Sequence, residues 1–117
     1  MSDILHTRRV DMDANKLLED NYKAENESFV YYLKEKSLFN KDAFRKLYES
    51  INSLAESEVE ISRTAQQINS VYGKILKYFL YNFDTEDPYK ITNLPDNYNK
   101  MLGYLDKAVE YYFSTRI

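Results

Sequence analysis

The chain has 117 residues, of which 44% are apolar and 30% charged, a balance that suits one modest folded domain rather than a disordered tail. Sixteen basic against nineteen acidic side chains leave a net charge of -3, which argues against a nucleic-acid protein working by bulk charge, because phosphate binding draws on clustered Lys and Arg. The absence of cysteine and the presence of a single His exclude disulfide staples, thiolate metal sites, Cys nucleophiles and any site that needs two imidazoles.

The first ten residues, MSDILHTRRV, lack the apolar stretch of about 7 to 15 residues that a secretory signal requires. The densest apolar run, ILKYFLYNF over 75–83, is far short of the roughly 20 residues of a membrane span and contains Lys77. These features predict a cytoplasmic protein with no membrane partner. Only two glycines and two prolines punctuate the chain, whereas all-β domains need turn residues every 8 to 12 positions or so. Long stretches of Leu, Lys, Glu, Ala and Gln favour helix. The fold class is therefore all-α.

In chain order, residues 1–12 are polar and aperiodic and read as a flexible N-terminal tail, leaving 13–117 as a single helical domain. A first helix is predicted from Asp13 or Ala14 to Lys36, burying Leu18, Tyr22, Phe29, Tyr32 and Leu33 across a polar gap at Glu25–Glu27. Ser37–Asn40 makes the turn. Asn40 suits an N-cap, since its side-chain oxygen accepts from free N–H groups of the next turn, and Asp42 places negative charge at the positive end of that helix.

From Lys41 to Asp84 no proline intervenes. Phe44, Leu47, Ile51 and Leu54, then Ile61, Ala65, Ile68, Tyr72, Ile75 and Phe79, repeat every three or four residues in one shared register, the seam of a bundle or coiled-coil helix. Unbroken, such a helix would be about 66 Å long at 1.5 Å per residue. The pattern predicts a bundle of three helices with one long central helix. The alternative is a compact four-helix bundle with a kink near Ser57, because Ser57-Glu58-Val59-Glu60 matches the S-x-x-E capping box and Glu58 would set a carboxylate on the seam. Ser57 and Glu58 are thus the candidate kink or specificity positions. A loop follows over Thr85–Leu94. The last helix starts at Pro95, where a missing N–H costs nothing, and shows Tyr98, Met101, Leu105, Ala108 and Tyr112 inward.

Catalysis finds no residues to use. His6 is the lone imidazole and sits in the predicted tail, so no base stands beside a nucleophile. Glu-x-x-His pairs for a di-iron site are absent. Gly-rich phosphate loops are absent too. Glu56, Glu58 and Glu60 point about 200° apart from one to the next on a helix and do not converge. No enzyme activity, cofactor or metal is expected. No family-specific motif is present.

Two function classes follow. The first is a non-enzymatic protein–protein interaction module (an adaptor, chaperone, inhibitor or immunity-type protein) acting through helical faces. A long central helix with one partner per half would bury little core, so that version predicts a homodimer and the kinked version a monomer. The chain has twelve Tyr and six Phe, and tyrosine offers large contact area at low entropic cost. Tyr78, Tyr81, Tyr89 and Tyr111 are least needed by the seam and are the candidate interaction residues. The alternative class is a dimeric regulator touching nucleic acid through an arm carrying Arg8-Arg9.

Overall fold

The computed structural model describes residues 2–57 and 62–116, with side chains described from residue 13 onward. Helix and turn make up the described residues, with no strand among them. Helix α1 spans Ser2–Lys23, a short α2 spans Phe29–Tyr31 and runs on into a π-helical turn over Tyr32–Lys36, α3 spans Lys41–Glu56, α4 spans Ser62–Phe83 and α5 spans Tyr98–Ser114.

The first helix ends thirteen residues earlier than the pattern predicts. Ala24, Asn26 and Glu27 all take positive φ, a conformation that helices do not contain. Local hydrogen bonds hold the reversal: the Glu25 N–H donates to the Asp20 carbonyl at 2.9 Å and the Asn26 side-chain amide to the Asp20 carboxylate at 2.9 Å. Asn21, fully buried, bridges the break. Its amide donates to the Leu17 carbonyl, and its Oδ1 accepts the Val30 N–H, both at 3.0 Å. Ser28 caps the next segment, its hydroxyl accepting from the Tyr31 N–H. The polar gap Glu25–Glu27 is thus a turn. At the other end α1 begins at Ser2, so helical backbone extends through the segment expected to be a tail.

Asn40 caps α3 as its sequence position predicts, accepting the Ala43 N–H at 2.9 Å. The helix stops at Glu56, and Ser57 is extended, with φ -76° and ψ 139°. A single helix over 41–84 is therefore corrected: the chain leaves helical geometry at Ser57, and α3 and α4 are separate helices, giving four long helices where three were expected. Glu58 lies outside the described residues. The shared register continues across the gap at Ile68, Ile75 and Phe79 but not at Ala65 and Tyr72. Phe44, Leu47, Ile51 and Leu54 are buried in α3 as expected, but α4 buries Thr64, Ile68, Val71, Ile75 and Phe79, leaving Ala65 and Tyr72 half-buried.

Side-chain bridges fix how the helices run. Asn15 meets Thr64 and the Tyr22 carbonyl meets Lys74, so α1 and α4 are parallel. Tyr48 packs on Tyr104, and Arg116 reaches the carbonyls of Leu54 and Ala55, so α3 and α5 are also parallel. Tyr72 bonds Asp106 and Phe79 stacks on Tyr98, so α4 and α5 are antiparallel. The ring order is α1–α3–α5–α4, with the successive helices α3 and α4 on a diagonal. The molecule measures 54 × 29 × 24 Å. Leu18, Phe29, Leu33, Phe39, Phe44, Leu47, Ile51, Ile68, Ile75, Leu105 and Tyr112 fill its centre, and all are essentially inaccessible to solvent.

The connection 84–97 is tied to the turn before α3. Asn93 and Phe39 exchange two hydrogen bonds, at 2.6 and 3.1 Å, and the Thr92 N–H donates to the Ser37 carbonyl at 2.8 Å. Pro95 does not open α5. It is buried in the preceding turn, its carbonyl accepting the Tyr98 N–H at 3.1 Å.

Candidate functional site

The candidate tyrosines divide into two places. Tyr78, Tyr81 and Tyr89 come together: the Tyr78 ring lies 6.3 Å from Tyr81 and 5.2 Å from Tyr89. Tyr89 is pinned by its hydroxyl, which donates to the Leu33 carbonyl at 2.8 Å, and its backbone is held in an Asx turn by Asp87. Burial, with Tyr78 close by, pushes the Tyr89 phenol up to about 12. Burial also raises Tyr78, with the carboxylate of Glu35 adding to it. Both are therefore neutral hydroxyls at physiological pH. Tyr111 is elsewhere, exposed on α5 one heptad after Tyr104, which packs on α3. Ser57 sits at the end of α3, its N–H donating to the Leu54 carbonyl at 3.2 Å. The side chains of His6, Arg8 and Arg9 are outside those described.

Tyr78 and Tyr81 belong to a half-open cleft of about 230 Å³ where the end of α1, the π-helical turn and α4 meet. Tyr22, Ala24 and Val30 complete its apolar wall, and Lys23, Lys34, Lys74 and Lys77 surround it. The Lys74 ammonium lies 5.1 Å over the Tyr22 ring and donates to the Tyr22 carbonyl at 3.1 Å, satisfying a carbonyl that the end of α1 leaves free. Lys23 pairs with Glu19 one turn earlier, at 3.6 Å. No local sequence pattern signals this cleft. Its lysines come from three segments, and two of them flank the break after Lys23, which the predicted continuous helix over 13–36 hides.

A second feature lies on the outer side of α4. Leu76, Leu80 and Phe83 follow one another in steps of four and three, so they share a helix face, and they are 37%, 69% and 53% exposed. Gly73 precedes them on that face, and a side chain there would meet nothing within 4 Å. The facing helix α5 comes close through Tyr98, whose ring is 5.3 Å from Phe83. Further along, the Tyr72 hydroxyl donates to Asp106 at 2.7 Å. That bond, together with burial and the carboxylates of Asp106 and Glu110, pushes the Tyr72 phenol up to about 12.

Among the described residues no group of three or more acidic or imidazole side chains is placed to hold a metal ion. No described helix is long and apolar enough to cross a membrane. Compared with protein-family models, curated proteins and solved structures, the chain matches none.

Proposed function

We propose that this chain is a non-enzymatic protein–protein interaction module, of the adaptor, chaperone, inhibitor or immunity type, that acts through the outer face of α4. The observation that carries the reading is the strip Leu76–Leu80–Phe83. Single exposed apolar residues are ordinary on protein surfaces, but three in helical register form a contiguous apolar ridge of the kind that interfaces cover. Gly73 extends the ridge with a flat place where another backbone can approach closely.

The homodimer expected of a long rod rested on seams that needed covering from outside. In the folded-back chain the buried faces of α3 and α4 are covered from within. The proposal is accordingly a monomer whose ridge receives a different protein. A cytoplasmic working place belongs to the same proposal, since a cysteine-free chain gains nothing from an oxidising compartment.

Site-specific photocrosslinking tests the reading. A benzophenone side chain placed at Leu80, and separately at Glu49 on the exposed face of α3, is irradiated in host cells. One discrete adduct from position 80 and none from position 49 is the expected result. Equal adducts from both positions, or none from position 80, would overturn the proposal. Light scattering on the purified chain reads oligomeric state directly, and a stable dimer would assign the ridge to a second copy.

A further inference from the structure

We propose that the tyrosine–lysine cleft receives an acidic peptide segment of the partner, one large apolar or aromatic side chain entering the cleft while flanking carboxylates meet the lysine rim. This deepens the interaction-module reading and rests on it.

Charge is the first ground. The chain is net acidic, with nineteen carboxylates to sixteen basic side chains, yet four of its lysines and no carboxylate line this one opening. Lys34 and Lys77 form no ion pair among the described residues, and Lys23 is held only loosely by Glu19. Like charges gathered around a concave surface raise the local positive potential, and an anionic ligand lowers it. The negative end of the α1 dipole would ordinarily repel such a ligand. Here the Lys74 ammonium donates to the Tyr22 carbonyl, next to the end of α1, and offsets that negative end.

Size and lining are the second ground. About 230 Å³ is below the usual range of small-molecule pockets, roughly 300–1,000 Å³, and suits one bulky side chain. The rings of Tyr22, Tyr78 and Tyr81 offer apolar area with rigid geometry, the mixture that recognises peptide side chains. Tyr81 is exposed at the mouth, its ring edge-on to that of Tyr78 at 6.3 Å. A polyanion such as nucleic acid fits less well. Its phosphates would extend beyond the lysines onto a surface carrying Glu19 and Glu35, and the chain's overall charge opposes it.

The test is a titration of the isotope-labelled full-length chain, followed by backbone amide resonances. The probe is the capped pentapeptide DEFED, compared with its uncharged counterpart NQFQN and with an eight-residue oligothymidine. The expected result is movement of the Ala24, Lys34, Lys74, Lys77 and Tyr78 signals with DEFED, at least tenfold weaker binding of NQFQN, and no movement there with the oligonucleotide. The double variant Lys34→Gln, Lys77→Gln should weaken DEFED about fivefold, as expected for two exposed ion pairs. Both lysines are solvent-facing, so the variant retains the fold, which its thermal melt verifies. Equal binding of DEFED and NQFQN, movement confined to other residues, no movement at all, or tighter oligonucleotide binding would each overturn the inference. Crosslinking from Leu80 is read on a different face, so failure of the cleft and failure of the ridge are distinguishable.

Discussion

Arg116 closes the bundle from the chain's end, and its replacement by alanine gives a quantitative test of how α3 terminates. The last carbonyls of any helix lack intrahelical partners. At the end of α3 the guanidinium meets two of them: one terminal nitrogen donates to the Ala55 carbonyl at 3.0 Å and the other to the Leu54 carbonyl at 2.8 Å, which also accepts the Ser57 N–H. The group also lies 4.3 Å over the buried Tyr112 ring. Hydrogen bonds to charged groups contribute about 1.5–3 kcal/mol each, with the lower value fitting a partly exposed site, and a cation over a ring adds about 0.5–1 kcal/mol. Against this, the buried Nε–H of Arg116 has no acceptor among the described residues, which returns about 1 kcal/mol when the side chain is removed. Arg116→Ala should therefore cost about 2–3 kcal/mol. For a domain of this size that is a fall in melting temperature of about 10 °C, read by circular dichroism and checked by urea unfolding. Arg116→Lys keeps the charge and loses the fork, and should recover about half. An alanine variant melting within a degree of the parent, or a lysine variant equal to it, would refute the capping role.

Three further predictions follow from other parts of the molecule. Asn21→Leu leaves the buried Val30 N–H without its acceptor and should cost about 1–3 kcal/mol, measured by urea unfolding; an unchanged midpoint would mean that another acceptor replaces Asn21. Gly73→Ala and Gly103→Ala add a methyl group that meets nothing within 4 Å, so each should stabilise its helix by about 0.5–1 kcal/mol; a lower melting temperature would show hidden crowding. The phenols of Tyr72 and Tyr89 are pushed up to about 12 from the ordinary 10.0, so the unfolded chain loses these protons first. Their stabilising contribution is complete below pH 10, declines as pH rises and is gone above about 12. Tyr89→Phe should flatten that alkaline decline, and an unchanged pH profile would contradict the environment assigned to Tyr89.

Much of the core was legible because local periodicity carries it. Phe44, Leu47, Ile51 and Leu54 needed only helical spacing to be assigned inward, and Asn40 needed only its position before a helical stretch to be recognised as a cap. The break after Lys23 was harder, since Ala24, Asn26 and Glu27 enter left-handed geometry without a glycine to mark it. What fixes it is a tertiary contact, the buried Asn21 reaching Val30 nine positions on. At Ser57 the capping-box residues were visible, but the continuing apolar register outweighed them. That register continues in α4 at Ile68, Ile75 and Phe79, while Thr64 and Val71 take the inward places expected of Ala65 and Tyr72. The cleft depends on both breaks at once, which no single window of sequence contains. Tyr78, Tyr81 and Tyr89 are tyrosines the seam does not use, and seam position alone does not separate them from Tyr111, whose helix faces elsewhere.

The cleft exists only if α4 turns back along α1 instead of prolonging α3. The chain has no native cysteine, so spin labels at Lys41→Cys and Asp84→Cys, both exposed positions, report the distance between the two ends of this segment without background. The Phe39 and Phe79 rings, 6.3 Å apart, place the two labels within about 30 Å of each other once the intervening backbone is added. A label distance near 65 Å, that of 43 residues of unbroken helix at about 1.5 Å each, would contradict the account.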